Sequence, residues 1–103
     1  MPKSVFVQDA ITVHVPESVL WPAFEVTMTP LNAETFGRVQ ARMGSTPAER
    51  IYVDVFVPML AAQIKRWDID TGITEQILAT LHPALLDRLA GILLNGVGGI
   101  LKN

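Results

Sequence analysis

No cysteine occurs among the 103 residues of the chain. That excludes disulfides, thiolate metal sites and cysteine nucleophiles together, and it fits a reducing compartment. Charge is thin as well. Only 17% of residues are charged, and eight basic residues against ten acidic ones leave a net charge of −2. The basic residues Lys3, Arg38, Arg42, Arg50, Lys65, Arg66, Arg88 and Lys102 are scattered along the chain. Nucleic-acid binding draws much of its affinity from clustered Lys and Arg neutralising phosphates, so this distribution argues against nucleic acid. Long apolar runs are missing too. The longest, Val55 to Ala62, is eight residues, against the ~20 that a membrane helix needs. Met1-Pro2-Lys3-Ser4 leads into short alternating apolar residues without the h-region of a signal peptide. The expectation is a cytoplasmic protein with no membrane partner.

What the chain does hold is apolar residues, at 50% of the total with a mean hydropathy of +0.35. A chain of this length makes one domain, residues 1–103, and buries roughly 60–70% of its unfolded surface. So apolar a composition leaves apolar surface over after one small core is filled, and contiguous apolar surface marks an interface.

Period-two alternation runs from Val5 to Val15, with Val5, Val7, Ile11, Val13 and Val15 on one side and Asp9 interrupting, in the manner of a half-buried strand. Pro16 to Pro22 reads as a connection, and alternation resumes with Phe24, Val26 and Met28. The β element thus covers about residues 4–29, and a helical part follows over about 32–94. Asn32 can cap a helix over 33–43, with Phe36, Val39 and Met43 on one face and Gly44 placed to end it. Thr46-Pro47-Ala48-Glu49 has the form of a capping box. Ile51–Val57 alternates well enough for a strand, yet Val53, Phe56, Val57, Leu60, Ile64 and Trp67 make a stripe at helical spacing. The spacing predicts one helix over about 47–67, kinked at Pro58. Asp68 to Gly72 reads as a turn, Thr74 caps a short helix, and Pro83 opens a last helix to about Leu94. Leu85, Leu86, Leu89, Ile92 and Leu93 lie along one side of it, and residues 95–103 form a short apolar tail. The fold class expected is α+β: a small N-terminal antiparallel β-ribbon followed by about four helices.

Chemistry-bearing patterns fail at the positions that matter. Gly91 to Gly96 has the glycine spacing of a phosphate loop, but Val97-Gly98 stand where Lys and Ser or Thr belong. Asp68 and Asp70 begin like a calcium loop, but Gly72 and Ala79 occupy its fifth and twelfth places. His14 and His82, the two histidines, have no convergent partners in the sequence, and Ser4, Ser18 and Ser45 lie in connections. No catalytic, cofactor-binding or metal-binding residue is expected. Trp67 reads as a core anchor, with an interface as the alternative role, because tryptophan is enriched among binding hot spots. The segment Leu85 to Lys102 is amphipathic with few basic residues, which favours packing against protein over lying on a membrane.

One stretch carries a resemblance. Ala61-Ala62-Gln63-Ile64-Lys65-Arg66-Trp67-Asp68-Ile69-Asp70, followed by Ile73-Thr74-Glu75 and Leu81-His82-Pro83-Ala84-Leu85-Leu86-Asp87-Arg88-Leu89, resembles the tail assembly chaperones of long-tailed bacteriophages. In many of these a helix ends in a Trp-Asp pair, a turn and a Thr cap follow, and the next helix reads L-x-P-x-L-L-x-x-L. Phe24 to Phe36 is similar to the strand-to-helix passage of the same family, so the resemblance covers about residues 24–94. Pro58 and a thinly charged N-terminal surface depart from the pattern.

The resemblance implies a non-enzymatic factor of the host cytoplasm, present during assembly and absent from the mature virion. It would bind the apolar, helical tape measure protein, keep it soluble and help to recruit tail tube subunits. Its partners would be those two proteins and further copies of itself. The residues expected to make these contacts are Met59, Trp67, Leu85, Leu86, Leu89, Ile92 and Leu93, with Met43 and the apolar tail adding adaptable surface. The alternative is a structural tail or connector component retained in the particle.

Overall fold

The computed structural model describes residues 10–101, and the surroundings of side chains as far as Asn95. The part of the first alternation that runs through Val5, Val7 and Asp9 lies outside the described residues. What remains of it forms strand β1 (Ile11–Val15), which pairs antiparallel with β2 (Phe24–Met28) in the register Ile11 to Met28, Val13 to Val26 and Val15 to Phe24. Alternation decides the facing. Val15, Phe24, Val26 and Met28 are buried, while Thr12 and Thr27 join their hydroxyls at 2.8 Å on the outer face.

Helix α1 (Ala33–Ser45) starts where Asn32 caps it, its Oδ1 accepting from the Thr35 N–H at 2.9 Å. It runs past Gly44, which therefore does not end it. The Thr46 hydroxyl donates to the Arg42 carbonyl and closes this helix rather than capping the next. The expected capping box is not made: the following segment opens as a 3₁₀ turn (Ala48–Arg50) with no side-chain cap. Phe36, Val39 and Met43 share a half-buried face, and α1 contributes no fully buried residue.

The single helix expected over 47–67 is divided. After the 3₁₀ turn comes a π-helical stretch (Tyr52–Phe56), whose end is marked by the Val57 N–H bonding the Tyr52 carbonyl five residues back. Helix α2 (Val57–Gln63) then begins, and Pro58 sits in its first turn, where a missing N–H costs little. In a continuous α-helix the Asp54 carbonyl would accept from residue 58, which has no hydrogen to give. Arg42 fills the gap, its Nη2 donating to that carbonyl at 2.9 Å, and so fastens α1 to the π-helical stretch.

At Gln63 the chain leaves the helix. The Thr29 N–H donates to the Gln63 carbonyl at 2.8 Å, and Gln63 Nε2 returns a bond to the Thr29 carbonyl at 2.7 Å. This exchange draws Ile64–Trp67 alongside β2 as a third strand, β3, antiparallel to it. The sheet order is β1-β2-β3. Thus Trp67 ends a strand, not a helix. Opposite Thr27 and Met28 the register jumps from Arg66 to Ile64, leaving Lys65 as a bulged residue.

Helix α3 (Glu75–Ala79) is capped as expected by Thr74, whose Oγ1 accepts from the Ile77 N–H at 3.1 Å. Helix α4 (Pro83–Leu101) runs well beyond Leu94. Asn95-Gly96 therefore does not stop it, because glycine permits a left-handed stop without enforcing one. The core is a single cluster joining the inner face of the sheet to Val55, Phe56, Val57, Met59 and Leu60, to Leu78 of α3, and to Leu85, Leu86, Leu89, Ala90, Ile92 and Leu93 of α4. The α+β class follows, with three strands in place of a two-stranded ribbon.

Candidate interaction surface

The seven residues expected to meet partners are brought together, but inside the molecule. Met59, Leu85, Leu86, Leu89, Ile92 and Leu93 are all buried, and Trp67 is half-buried against the same core. The apolar face of α4 is used within the chain, so in this fold it is not a surface. The reason is one of supply. The sheet and the Val55–Leu60 stretch need an apolar cover, and α4 carries the longest apolar stripe available. Of the residues expected to add surface, Met43 stays partly open, against the core.

Among the described residues three other large apolar side chains stand exposed: Val19, Leu20 and Val53. Val19 and Leu20 occupy the tip of the connection between β1 and β2. Val19 is as exposed as a free side chain, at 102%, and Leu20 is 51% exposed. The connection is held in shape from within. Ser18 N–H donates to the Trp21 carbonyl at 2.9 Å, Leu20 N–H to Ser18 Oγ at 3.0 Å, and Trp21 Nε1 to the Pro16 carbonyl at 3.0 Å. Trp21 is half-buried and packs on the core, so it anchors the loop while Val19 and Leu20 project. An apolar tip on a fixed backbone loses little conformational entropy when bound. The sequence carried a weak sign of it, three consecutive apolar residues, Val19, Leu20 and Trp21, between Pro16 and Pro22 with no alternating polar partner. Val53 lines a shallow depression with Val57, Glu75, Gln76 and Ala79.

The polar groups hold the structure together. Trp67 Nε1 donates to the Thr71 carbonyl at 3.0 Å and closes the turn after β3. Asp68 Oδ1 accepts from the Glu25 N–H at 2.9 Å, extending the hold of β3 on β2. Asp68 is thus engaged across the sheet rather than in a cation loop. His82 Nδ1 accepts from the Ala84 N–H at 3.0 Å at the start of α4, and His14 lies on the exposed face of β1. Arg50 clasps Asp54 through two bonds of 3.1 and 2.9 Å, which raises the Arg50 pKa. Gly91 to Gly96 lies within α4, not in a loop that could wrap a phosphate. Among the described residues no three His, Cys, Asp or Glu side chains gather as a metal site, and no helix is long and apolar enough to cross a membrane.

Tyr52 links two elements, its hydroxyl donating to Asp87 Oδ2 at 2.9 Å while its ring meets Phe56 edge-on at 5.5 Å. The bond to Asp87 is the main cause of a raised Tyr52 pKa, followed by burial and the charge of Asp87. A raised folded-state value means that this stabilisation is intact below the ordinary tyrosine range and is lost as pH climbs through the folded value. Alkaline titration of the wild-type chain should therefore show a loss of stability above about pH 10 that Tyr52→Phe lacks. Parallel urea melts at neutral and alkaline pH measure it.

No protein-family model, curated protein or solved structure matches the chain.

Proposed function

We propose that this chain is a tail assembly chaperone of a long-tailed phage, which binds the tape measure protein and helps to bring tail tube subunits to it in the host cytoplasm. It works through contacts, without chemistry of its own. Support comes first from the resemblance over residues 24–94, whose marker residues have definite structural work in this fold. Trp67 closes the turn after β3, Asp68 ties the end of β3 to β2, Thr74 caps α3, and His82 caps α4 beside Pro83. The observation that carries the reading is the projecting Val19-Leu20 tip, an apolar contact point on an ordered loop with no charged neighbour nearer in sequence than Glu17. A long apolar helix needs such uncharged contacts from the protein that keeps it soluble.

The test is co-expression with the tape measure protein of the phage that would encode this chain. The wild-type chain should raise its soluble yield and co-purify with it, and Val19→Asp with Leu20→Asp should lose both effects. The double variant should keep its stability within about 0.5 kcal/mol, as exposed substitutions do. A wild-type chain that leaves the tape measure protein insoluble ends the reading, and a fully active double variant removes the tip from it. Mass spectrometry of purified virions separates the chaperone, absent from particles, from a tail or connector component that is retained.

A further inference from the structure

Helix α1 is loosely tied to the rest of the fold. It contributes no buried residue, and of its side chains Val39 and Met43 reach the core cluster. The bonds that shape it are its own. Asn32 caps its start, the Thr46 hydroxyl closes its end, and Glu34 pairs with Arg38 at 3.0 Å. Pro30 and Pro47 stand just outside its two ends, and neither has an N–H with which to fasten the linker. Among the described residues one hydrogen bond joins α1 to another element, from Arg42 Nη2 to the Asp54 carbonyl at 2.9 Å. Between α1 and the segment it covers lies a cleft of about 280 Å³, lined by Val39, Arg42, Val55, Pro58 and Met59 among others. Val55 and Met59 are both buried there.

We propose that α1 is a hinged cover, which opens as one unit and uncovers Val55 and Met59 while the sheet, α3 and α4 stay packed. Arg42 is its latch, and Pro58 is the reason the latch has something to hold. The Asp54 carboxylate is taken by Arg50, and the Asp54 carbonyl lacks its usual helical donor because residue 58 is proline. Arg42 thus fills a place that a residue with an N–H at position 58 would fill from within the helix. The latch is weak by construction. Once α1 has opened, water serves both the Arg42 guanidinium and the Asp54 carbonyl, so no buried polar group is stranded. The apolar contact given up is what Val39 and Met43 make, whereas full unfolding exposes the whole core cluster. Elements with few buried contacts open at a free energy below the global one. The uncovered segment keeps its own anchor, the Tyr52 hydroxyl bonded to Asp87 of α4. The inference does not rest on the tail-assembly reading.

Thiol labelling tests it, because a cysteine-free chain makes one introduced thiol a clean probe. In the full chain, Val55→Cys should react with a disulfide reagent at least about tenfold faster than Val26→Cys, on the central strand, each rate taken relative to the same chain unfolded in urea. Arg42→Met keeps most of the stem and removes the donor, and should speed Val55→Cys labelling about tenfold. Pro58→Ala restores an N–H for the Asp54 carbonyl, so in that background Arg42→Met should speed it by no more than about threefold. An arginine with a merely structural role shows no such dependence on residue 58. Tyr52→Phe removes a bond that survives the opening. It should speed labelling of Val26→Cys about fivefold and leave Val55→Cys unchanged. Undocked, a helix of 13 residues is marginal in water. In the wild-type chain the amides of Val39 to Met43 should therefore exchange through one shared opening that depends only weakly on urea. Equal protection of the two thiols, or an Arg42→Met effect that is the same with and without Pro58→Ala, overturns the proposal. So does an equal response of both thiols to Tyr52→Phe, or exchange of the α1 amides only through global unfolding.

Discussion

Leu89→Ala is expected to lower the free energy of unfolding by about 3 kcal/mol, within the range for leucine truncations that leave a core cavity. Leu89 is wholly inaccessible to solvent and sits amid Leu78, Leu60 and the sheet residues of one cluster. Small domains are stable by about 5–15 kcal/mol, so the variant keeps a fold only narrowly. Each kcal/mol lost moves the melting temperature of a domain of this size by about 4 °C or more. Urea denaturation with an unchanged slope measures the effect. Leu20→Ala, at the exposed tip, should change stability by no more than about 0.5 kcal/mol. Were Leu89→Ala near neutral instead, α4 would not be docked as described.

The same magnitudes decide which residues can meet a partner. Burying one leucine or isoleucine side chain is worth about 1.5–3 kcal/mol. Leu85, Leu86, Leu89, Ile92 and Leu93 are all buried, and together they account for a share as large as the whole stability of a small domain. Releasing α4 to offer that face amounts to unfolding the protein. A partner of the proposed kind would therefore have to use what already projects, and the tip at Val19 and Leu20 meets that condition.

Trp67→Ala is the second large effect expected, at about 2–3 kcal/mol, below the range for a fully buried tryptophan because Trp67 is half-buried. Two contributions add here. The ring covers the end of the core opposite Val26, and its Nε1 closes the turn at Thr71. Trp67→Phe keeps the first and loses the second, and should cost about 1 kcal/mol. The fluorescence of Trp21 in the Trp67 variants follows unfolding in the rest of the chain. Equal losses for Ala and Phe would place the whole effect in the hydrogen bond and remove Trp67 from the core.

Local patterns were legible wherever a residue acts on its near neighbours. The alternation of Phe24, Val26 and Met28 gave β2 and its buried face, the side chains of Asn32 and Thr74 gave two helix starts, and Pro83 gave a third. Thr46 was misread because its hydroxyl serves equally well to start one helix or to finish another, and here it bonds back to Arg42. That the residues expected to meet partners are buried was not legible for a related reason. Hydrophobic spacing identifies a stripe that must be covered, but it does not say whether the chain itself or a partner supplies the cover.

By itself, then, the amino-acid order determined that this is an α+β chain, with two strands ahead of the first helix, and which side of β1, β2 and α4 is apolar. Periodicity and capping act over a few residues, so they can be read along the chain. Only the tertiary structure decided that Ile64–Trp67 is a strand, that α4 covers the core, and that Val19 and Leu20 are left outside. Ile64 and Trp67 satisfy helical spacing and strand pairing alike, and the choice falls to the exchange of bonds between Gln63 and Thr29, 34 positions apart. Pairing of that kind depends on what the rest of the fold brings alongside, which no local pattern records.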